Sequence, residues 1–395
     1  MSWSTVRADQ FCTLITDGTH DSPKPQQSGW KLITSKHLKG HYIDFDSANW
    51  ISEADYLKVI SRSAVEQWDI LFSMIGTIGN IYLEKNPHVE YACKNMGIFK
   101  FSGNKENALW MYYYLKSPQA KAYIQTHLRG STQAYVPLGG LREMPVPVPP
   151  QSVRNEIIAV LRPIDEKIEC NNAINDNLEQ QAQSCFQELF VDNADPEWAT
   201  GTISDLGTVV GGSTPSKAKP EYYTESGIAW ITPKDLSINK SKFVSHGEND
   251  ITELGLRNSS ASLMPEGTVL FSSRAPIGYI AIAAGEVTTN QGFKSVVPKP
   301  EIGTPFAYFF LKNTLPVIEG MASGSTFKEV SGSTMKNVPA VIPDAEILAK
   351  FSDFCAPIFA QQRTLEEQNQ SLAKLRDSLL PKLMSGEIDV SAVHL

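Results

Sequence analysis

The sequence predicts an α+β protein: two similar α/β domains joined by two long α-helices that form an antiparallel coiled coil, with the halves related by a pseudo-two-fold axis. Three observations predict it. The chain of 395 residues repeats itself at an offset of 194 to 199 residues. Each copy mixes short β-branched and aromatic runs with helical stretches. A long segment with a heptad seam follows each copy.

The repeat is plainest where residues 128–149 read LRGSTQAYVPLGGLREMPVPVP and residues 322–343 read ASGSTFKEVSGSTMKNVPAVIP. Pro145 and Pro149 fall on Pro339 and Pro343, and Trp3 falls near Trp198. LITSKHL (32–38) resembles WITPKDL (230–236), TIGNI (77–81) resembles PIGYI (276–280), and NMG (95–97) resembles NQG (290–292). A period this long is not that of a solenoid and implies two domain-sized copies. The expected boundaries are 1–150 for the first domain, 151–195 for a central helix, 196–343 for the second domain, 344–386 for a C-terminal helix and 387–395 for a tail.

Within each domain, runs such as GTVLFSS and GYIAIAA read as strands bounded by Gly, Pro and Ser. Residues 106–128 and 304–322 read as helices, interrupted at Ser117-Pro118 and at Leu315-Pro316. Their aromatic clusters, WMYYY and FAYFF, are expected to be core or helix-docking surface.

Between Gln151 and Val191 there is one proline, Pro163, and no glycine. Apolar residues recur there at Ile157, Leu161, Ile164, Ile168, Leu178, Ala182, Cys185 and Leu189. Adding 194 gives Phe351, Cys355, Ile358, Gln362, Leu372, Arg376, Leu379 and Leu383, so the same seam returns in the same register. Asn171, Asn175 and Asn369 sit in the seam and are assigned to fixing helix register. Forty residues of helix would span about 60 Å.

Composition excludes several classes. Apolar content of 42% and charged content of 20% suit a soluble chain with a sizeable core. No membrane span and no signal-peptide pattern are expected. Five cysteines without a CxxC pair point to reduced thiols in a cytoplasm, not to a disulfide frame or zinc site. The net charge of −8 divides unevenly: +2 over 1–150, −6 over 151–195, −1 over 196–343 and −3 over 344–395. Charge therefore neither demands nor excludes a nucleic-acid partner. No phosphate loop, dinucleotide fingerprint, HExxH or GxSxG elbow is present. The expectation is a chain with no catalytic residues, no metal site and no cofactor of its own.

The alternation of two repeated domains and two heptad helices resembles the specificity subunits of type I restriction-modification enzymes. The resemblance rests also on GGSTPSK, GIAWITPKDL and the closing LLPKLMSGEI, and it covers essentially the whole chain. It implies that the domains are target-recognition domains, each reading one half of a split, asymmetric site in double-stranded DNA. It implies that the helices set the spacing and hold two methyltransferase subunits, in a system of phage defence. S-adenosylmethionine would bind those subunits, and ATP and Mg a separate restriction and translocation subunit. Two other readings stay open at this point: a protein-binding scaffold, and a recognition subunit of another DNA-modifying system.

Base reading needs Arg or Lys for guanine and Asn or Gln for adenine. Phosphate contacts need Lys, Ser, Thr and main-chain amides. On these grounds the DNA-contact candidates in the second domain are Ser213, Thr214, Lys217, Lys219, Lys234, Arg274, Asn290, Gln291, Lys294, Ser325, Thr326 and Lys328. In the first they are Lys24, Lys36, His37, Lys94, Asn95, Arg129, Ser131, Thr132, Gln133 and Tyr135. Each has a purely structural alternative: a Gly-Ser-Thr loop can be only a turn, and Asn290-Gln291-Gly292 can simply end a strand.

Overall fold

The computed structural model describes residues 3–40, 42–324 and 328–390. The chain forms two compact units, residues 1–169 with 371–395 and residues 170–370. Each contains one α/β domain and a segment of both long helices, Gln151–Gln187 and Ala345–Ser385.

In the first unit, a four-stranded antiparallel sheet runs in the order Leu14–Asp17, Met96–Lys100, Ile70–Ser73, Ile81–Leu83. A second sheet has Trp30–Ile33 between an antiparallel Asn49–Ile51 and a parallel Tyr91–Cys93. In the second unit, a five-stranded sheet runs in the order Gly207–Gly211, Lys294–Pro298, Val269–Ser273, Ile277–Ala283, Phe243–Val244. Beside it Ala229–Ile231 pairs in parallel with Val287–Thr289. Each domain is closed by a ribbon of its first and last strands, Ser4–Arg7 with Pro145–Val148 and Ala199–Thr202 with Pro339–Ile342.

Matching backbone hydrogen bonds make the repeat concrete. The Thr19 amide donates to Cys93 O at 2.9 Å, and the Ser213 amide donates to Thr289 O at 2.9 Å. The glycine before each lets the two segments touch: a Cβ on Gly18 would lie 2.3 Å from Cys93 O, and one on Gly212 2.0 Å from Asn290 O.

The aromatic clusters are core, packed on the long helices. Trp110, Tyr113 and Tyr114 share a buried cluster with Ile157, Leu161, Leu380 and Leu383. Phe306, Tyr308 and Phe309 share another with Ala182, Phe186, Phe351, Cys355 and Phe359. Inside each unit the helix segments run antiparallel. In the first, Arg376 pairs with Asp165 at 3.0 Å. In the second, Asn171 Nδ2 donates to Asn369 Oδ1 at 2.9 Å, and Gln362 Nε2 donates to the main-chain carbonyl of Asn175 at 3.2 Å.

Three details depart from the sequence reading. The chain is broken at Ser117-Pro118 but not at Leu315-Pro316; Thr304–Met321 is one helix with Pro316 inside it. Ser117 accepts a hydrogen bond from the Ala120 amide at 3.3 Å and caps a new helix, which a leucine cannot do. The first long helix ends in a π-helical turn, Glu188–Asp192, rather than continuing as α-helix. Its buried face also turns away from a pure heptad stripe: Asp165 and Phe186 are buried while Ile164, Ile168 and Leu178 are only half-buried. A helix of 3.6 residues per turn drifts about 20° per heptad, and here the neighbouring domain covers the flank it drifts towards.

Candidate nucleic-acid interface

In the second unit, three segments that are distant in sequence converge. The loop after Gly207–Gly211 is held by the Ser213 amide, and Trp230 Nε1 donates to Ser213 O at 2.9 Å. The Thr214 hydroxyl donates to Gln291 Oε1. Asn290 Oδ1 accepts from the Gly292 amide at 2.8 Å, tightening the turn that presents Gln291. Lys234 opens the short helix Pro233–Ile238, capped reciprocally by Thr232 and Asp235. Thr214, Lys217, Lys234, Arg274, Asn290 and Gln291 thereby line one open surface concavity of about 510 Å³. Exposed donors and amides around a shallow hollow can meet base edges and phosphate oxygens.

The charges there are partly balanced. Lys234 pairs with Glu248 at 2.6 Å, and that hydrogen bond raises its pKa. Arg274 lies 3.6 Å and Lys294 3.9 Å from Glu329. Burial pushes the Lys294 ammonium below the usual lysine range, against the pull of Glu329. Lys219 is exposed and donates to the Tyr222 hydroxyl at 3.1 Å, outside the residues lining the concavity. Lys328 is exposed, and Ser325 and Thr326 lie outside the described residues.

In the first unit, Lys94 donates to the Ser22 hydroxyl, and Asn95 Oδ1 lies 2.9 Å from His20 Nδ1. The other ring nitrogen of His20 meets Asp17 at 2.9 Å. Arg129, Ser131, Thr132, Gln133 and Tyr135 are all exposed on one loop, closed by paired main-chain hydrogen bonds between Arg129 and Tyr135 at 2.9 and 2.8 Å. Lys24 and Lys36 are exposed. His37 is not a surface group: it is 2% exposed and its Nδ1 accepts from the Thr34 amide at 2.9 Å. It does the capping that Asp235 does for Thr232 in the second domain, so its ring faces inward. Burial holds its pKa down.

The structure also shifts one sequence equivalence. The Lys94 amide donates to Ile33 O at 2.9 Å, and the Asn290 amide to Ile231 O at 3.0 Å. Asn290 therefore stands where Lys94 stands, not where Asn95 does, and one extra residue in the second domain restores phase at the buried Met96 and Phe293. Glu329, which lies beside Arg274 and Lys294, is a carboxylate and falls outside the donor and amide residue types that base and phosphate contacts suggest. Its signal was present: it lies 194 residues after Tyr135. Among the described residues, no cluster of three or more His, Cys, Asp or Glu is placed to hold a metal ion, and no helix is long and apolar enough to cross a membrane.

Comparison with known proteins agrees with the architecture of two similar domains and two long helices. The family model described as the type I restriction modification DNA specificity domain matches the chain twice, at residues 3–180 and 196–373. The specificity subunit of type I restriction enzyme MjaIX from Methanocaldococcus jannaschii is 37% identical over 192 residues, which is 48% of this chain and 44% of that subunit. The HindI specificity subunit from Haemophilus influenzae is 22% identical over 417 residues, covering 86% of this chain and 90% of that one. The solved S subunit of a type I restriction-modification system from M. genitalium matches 97% of this chain and 96% of its own, with a TM-score of 0.56 and 17% identity, a likeness of fold.

Proposed function

We propose that this chain, which belongs to the family of type I restriction-modification DNA specificity domains, reads a split asymmetric DNA site, one domain per half-site, and carries no chemistry of its own. The observation that carries the reading is the reuse of one backbone frame with different side chains. Main-chain hydrogen bonds place Lys94 and Asn290 at equivalent positions. A lysine there suits guanine or phosphate, and an asparagine suits adenine. Two readers of one design but different side chains, in one chain, fit an asymmetric site; a symmetric dimer would fit a palindrome.

In this reading two methyltransferase subunits dock on the chain and supply S-adenosylmethionine and the adenine-methylating step. A restriction subunit supplies ATP-driven translocation and cleavage. The paired helices hold the half-sites at a fixed separation. The test is co-expression with a type I methyltransferase subunit, followed by mapping of methylated adenines across a genome. The reading expects one split motif with a constant spacer, and binding to duplex DNA that weakens steeply with salt. A protein-binding scaffold would give no motif and no salt-dependent duplex binding.

A further inference from the structure

The last loop of each domain is built on the same hydrogen bonds but ends in opposite chemistry. In the second domain, Ser323 and Glu329 exchange main-chain hydrogen bonds of 3.1 and 2.8 Å, and the Val330 amide donates to Ser273 O at 3.0 Å. This seats Glu329 beside Arg274, with which it forms a β-bridge. In the first domain, Arg129 and Tyr135 exchange the same pair, the Val136 amide donates to Met74 O at 2.9 Å, and Tyr135 forms a β-bridge to Ile75. The residues after Arg274 and Ile75 share a further signature, a positive φ at Ala275 (49°) and Gly76 (77°). Arg274 with Glu329 therefore occupies the frame of Ile75 with Tyr135.

Glu329 also lies 3.9 Å from Lys294, but neither pair is sealed into the core, and Ile75 is only half-buried. Arg274 and Glu329 side chains are 38% and 41% exposed, and such a pair adds little to stability. Tyr135 is 42% exposed, a large aromatic face left in solvent. Arg274 already lines the concavity with Asn290 and Gln291. A guanine edge offers two acceptors that match a guanidinium, and the cytosine paired with it offers an amine that matches a carboxylate. A thymine edge offers a methyl group that matches an apolar surface.

We infer that these two bridged pairs are equivalent base-reading positions: Arg274 and Glu329 select a G·C pair in one half-site, and Ile75 and Tyr135 select a T·A pair in the other. The inference deepens the function proposed above and rests on it. Glu329 is then a specificity residue that accepts from the cytosine amine, not only a counter-ion for Arg274.

The experiment maps methylated adenines in cells expressing the full chain with its methyltransferase subunit. The wild-type motif is expected to hold a G·C pair in one half and a T·A pair in the other. Glu329→Gln and Arg274→Ala are each expected to weaken the preference for that G·C pair by about ten- to a hundredfold, with the other half unchanged. Tyr135→Glu combined with Ile75→Arg is expected to install a G·C preference in the other half. A wild-type split motif without a G·C pair in either half overturns the inference even if every variant fails to fold. So does a Glu329→Gln chain that methylates the wild-type motif with unchanged stringency. If no split motif exists at all, the proposed function fails, and this inference with it.

Discussion

The side-chain amide of Asn171 on the first long helix donates to the side-chain carbonyl of Asn369 on the second, across 2.9 Å. Asn171 is fully buried, and Asn369 in turn donates to Asn172 Oδ1 at 2.8 Å. A polar ladder inside a helix pair specifies register at some cost in stability.

Asn171→Ala should therefore destabilise the chain by about 1–3 kcal/mol, because it leaves the half-buried Asn369 carbonyl without its donor at the helix seam. Replacing Asn171 and Asn369 together by leucine should be near neutral or stabilising. Thermal unfolding of Asn171→Ala and of the double leucine variant checks this; equal losses in both would contradict it.

A second, partly buried cluster anchors the second domain to the helices. Lys242 lies 2.8 Å and Lys312 2.6 Å from Glu179, and Gln362 Oε1 accepts from Lys242 at 2.9 Å. Burial alone would raise the Glu179 pKa, but Lys242 and Lys312 outweigh it and hold the group at about 2 rather than 4.5. A carboxyl depressed in the folded state contributes stability that is complete above its unfolded pKa and is lost as pH falls through the folded one. Stability should thus decline between about pH 4.5 and pH 2. Burial also lowers Lys242 from 10.5 to about 8, so the cost of keeping it charged is relieved as pH rises through that window. Glu179→Gln should flatten the acid limb and destabilise the neutral protein by on the order of 3 kcal/mol, read by denaturant titration at several pH values.

The two proline sites predict opposite responses. Pro316 sits inside Thr304–Met321, where it removes a backbone donor from a helix whose Ile318 is fully buried. Pro316→Ala should stabilise, by up to about 3 kcal/mol. Ser117→Ala should destabilise by about 1 kcal/mol through loss of the cap on Pro118–Thr126. Paired melting curves decide both.

These sites also mark how far the sequence could be read. Two copies and two long helices follow from spacing alone, and the folded chain has them; that the aromatic clusters pack on those helices shows only in the fold. The fate of each X-Pro step did not follow from proline; it turned on whether the residue before it could cap. The heptad pattern placed Ile157 and Leu161 in the core but not Asp165 or Phe186, whose burial depends on the domain packed beside the helix. His37 looked like a surface donor because its neighbour Lys36 is one. Only the fold reveals that it replaces Asp235 in a local cap. The equivalence of Lys94 with Asn290 was hidden by a single extra residue, visible once the main-chain hydrogen bonds are drawn.

Lys217 and Lys234 line the concavity of the second domain and are exposed. If they hold phosphates, Lys217→Ala and Lys234→Ala should each weaken duplex binding uniformly across sequences. Each should also reduce the salt dependence by about one unit of slope. Binding titrations across a salt series, on duplexes with and without the motif, measure both effects.

The central claim is that paired helices hold two different readers at a fixed distance, and removing a matched heptad tests it most directly. The Asn171–Asn369 contact identifies residues 167–173 and 367–373 as facing stretches. Deleting both should shorten the pair by about 10 Å, close to three base pairs of duplex at about 3.4 Å each. Adenine-methylation maps from cells carrying the shortened chain with its methyltransferase subunit should show both half-site sequences intact and the spacer shortened by about three base pairs. An unchanged spacer with altered half-site sequences would contradict the account.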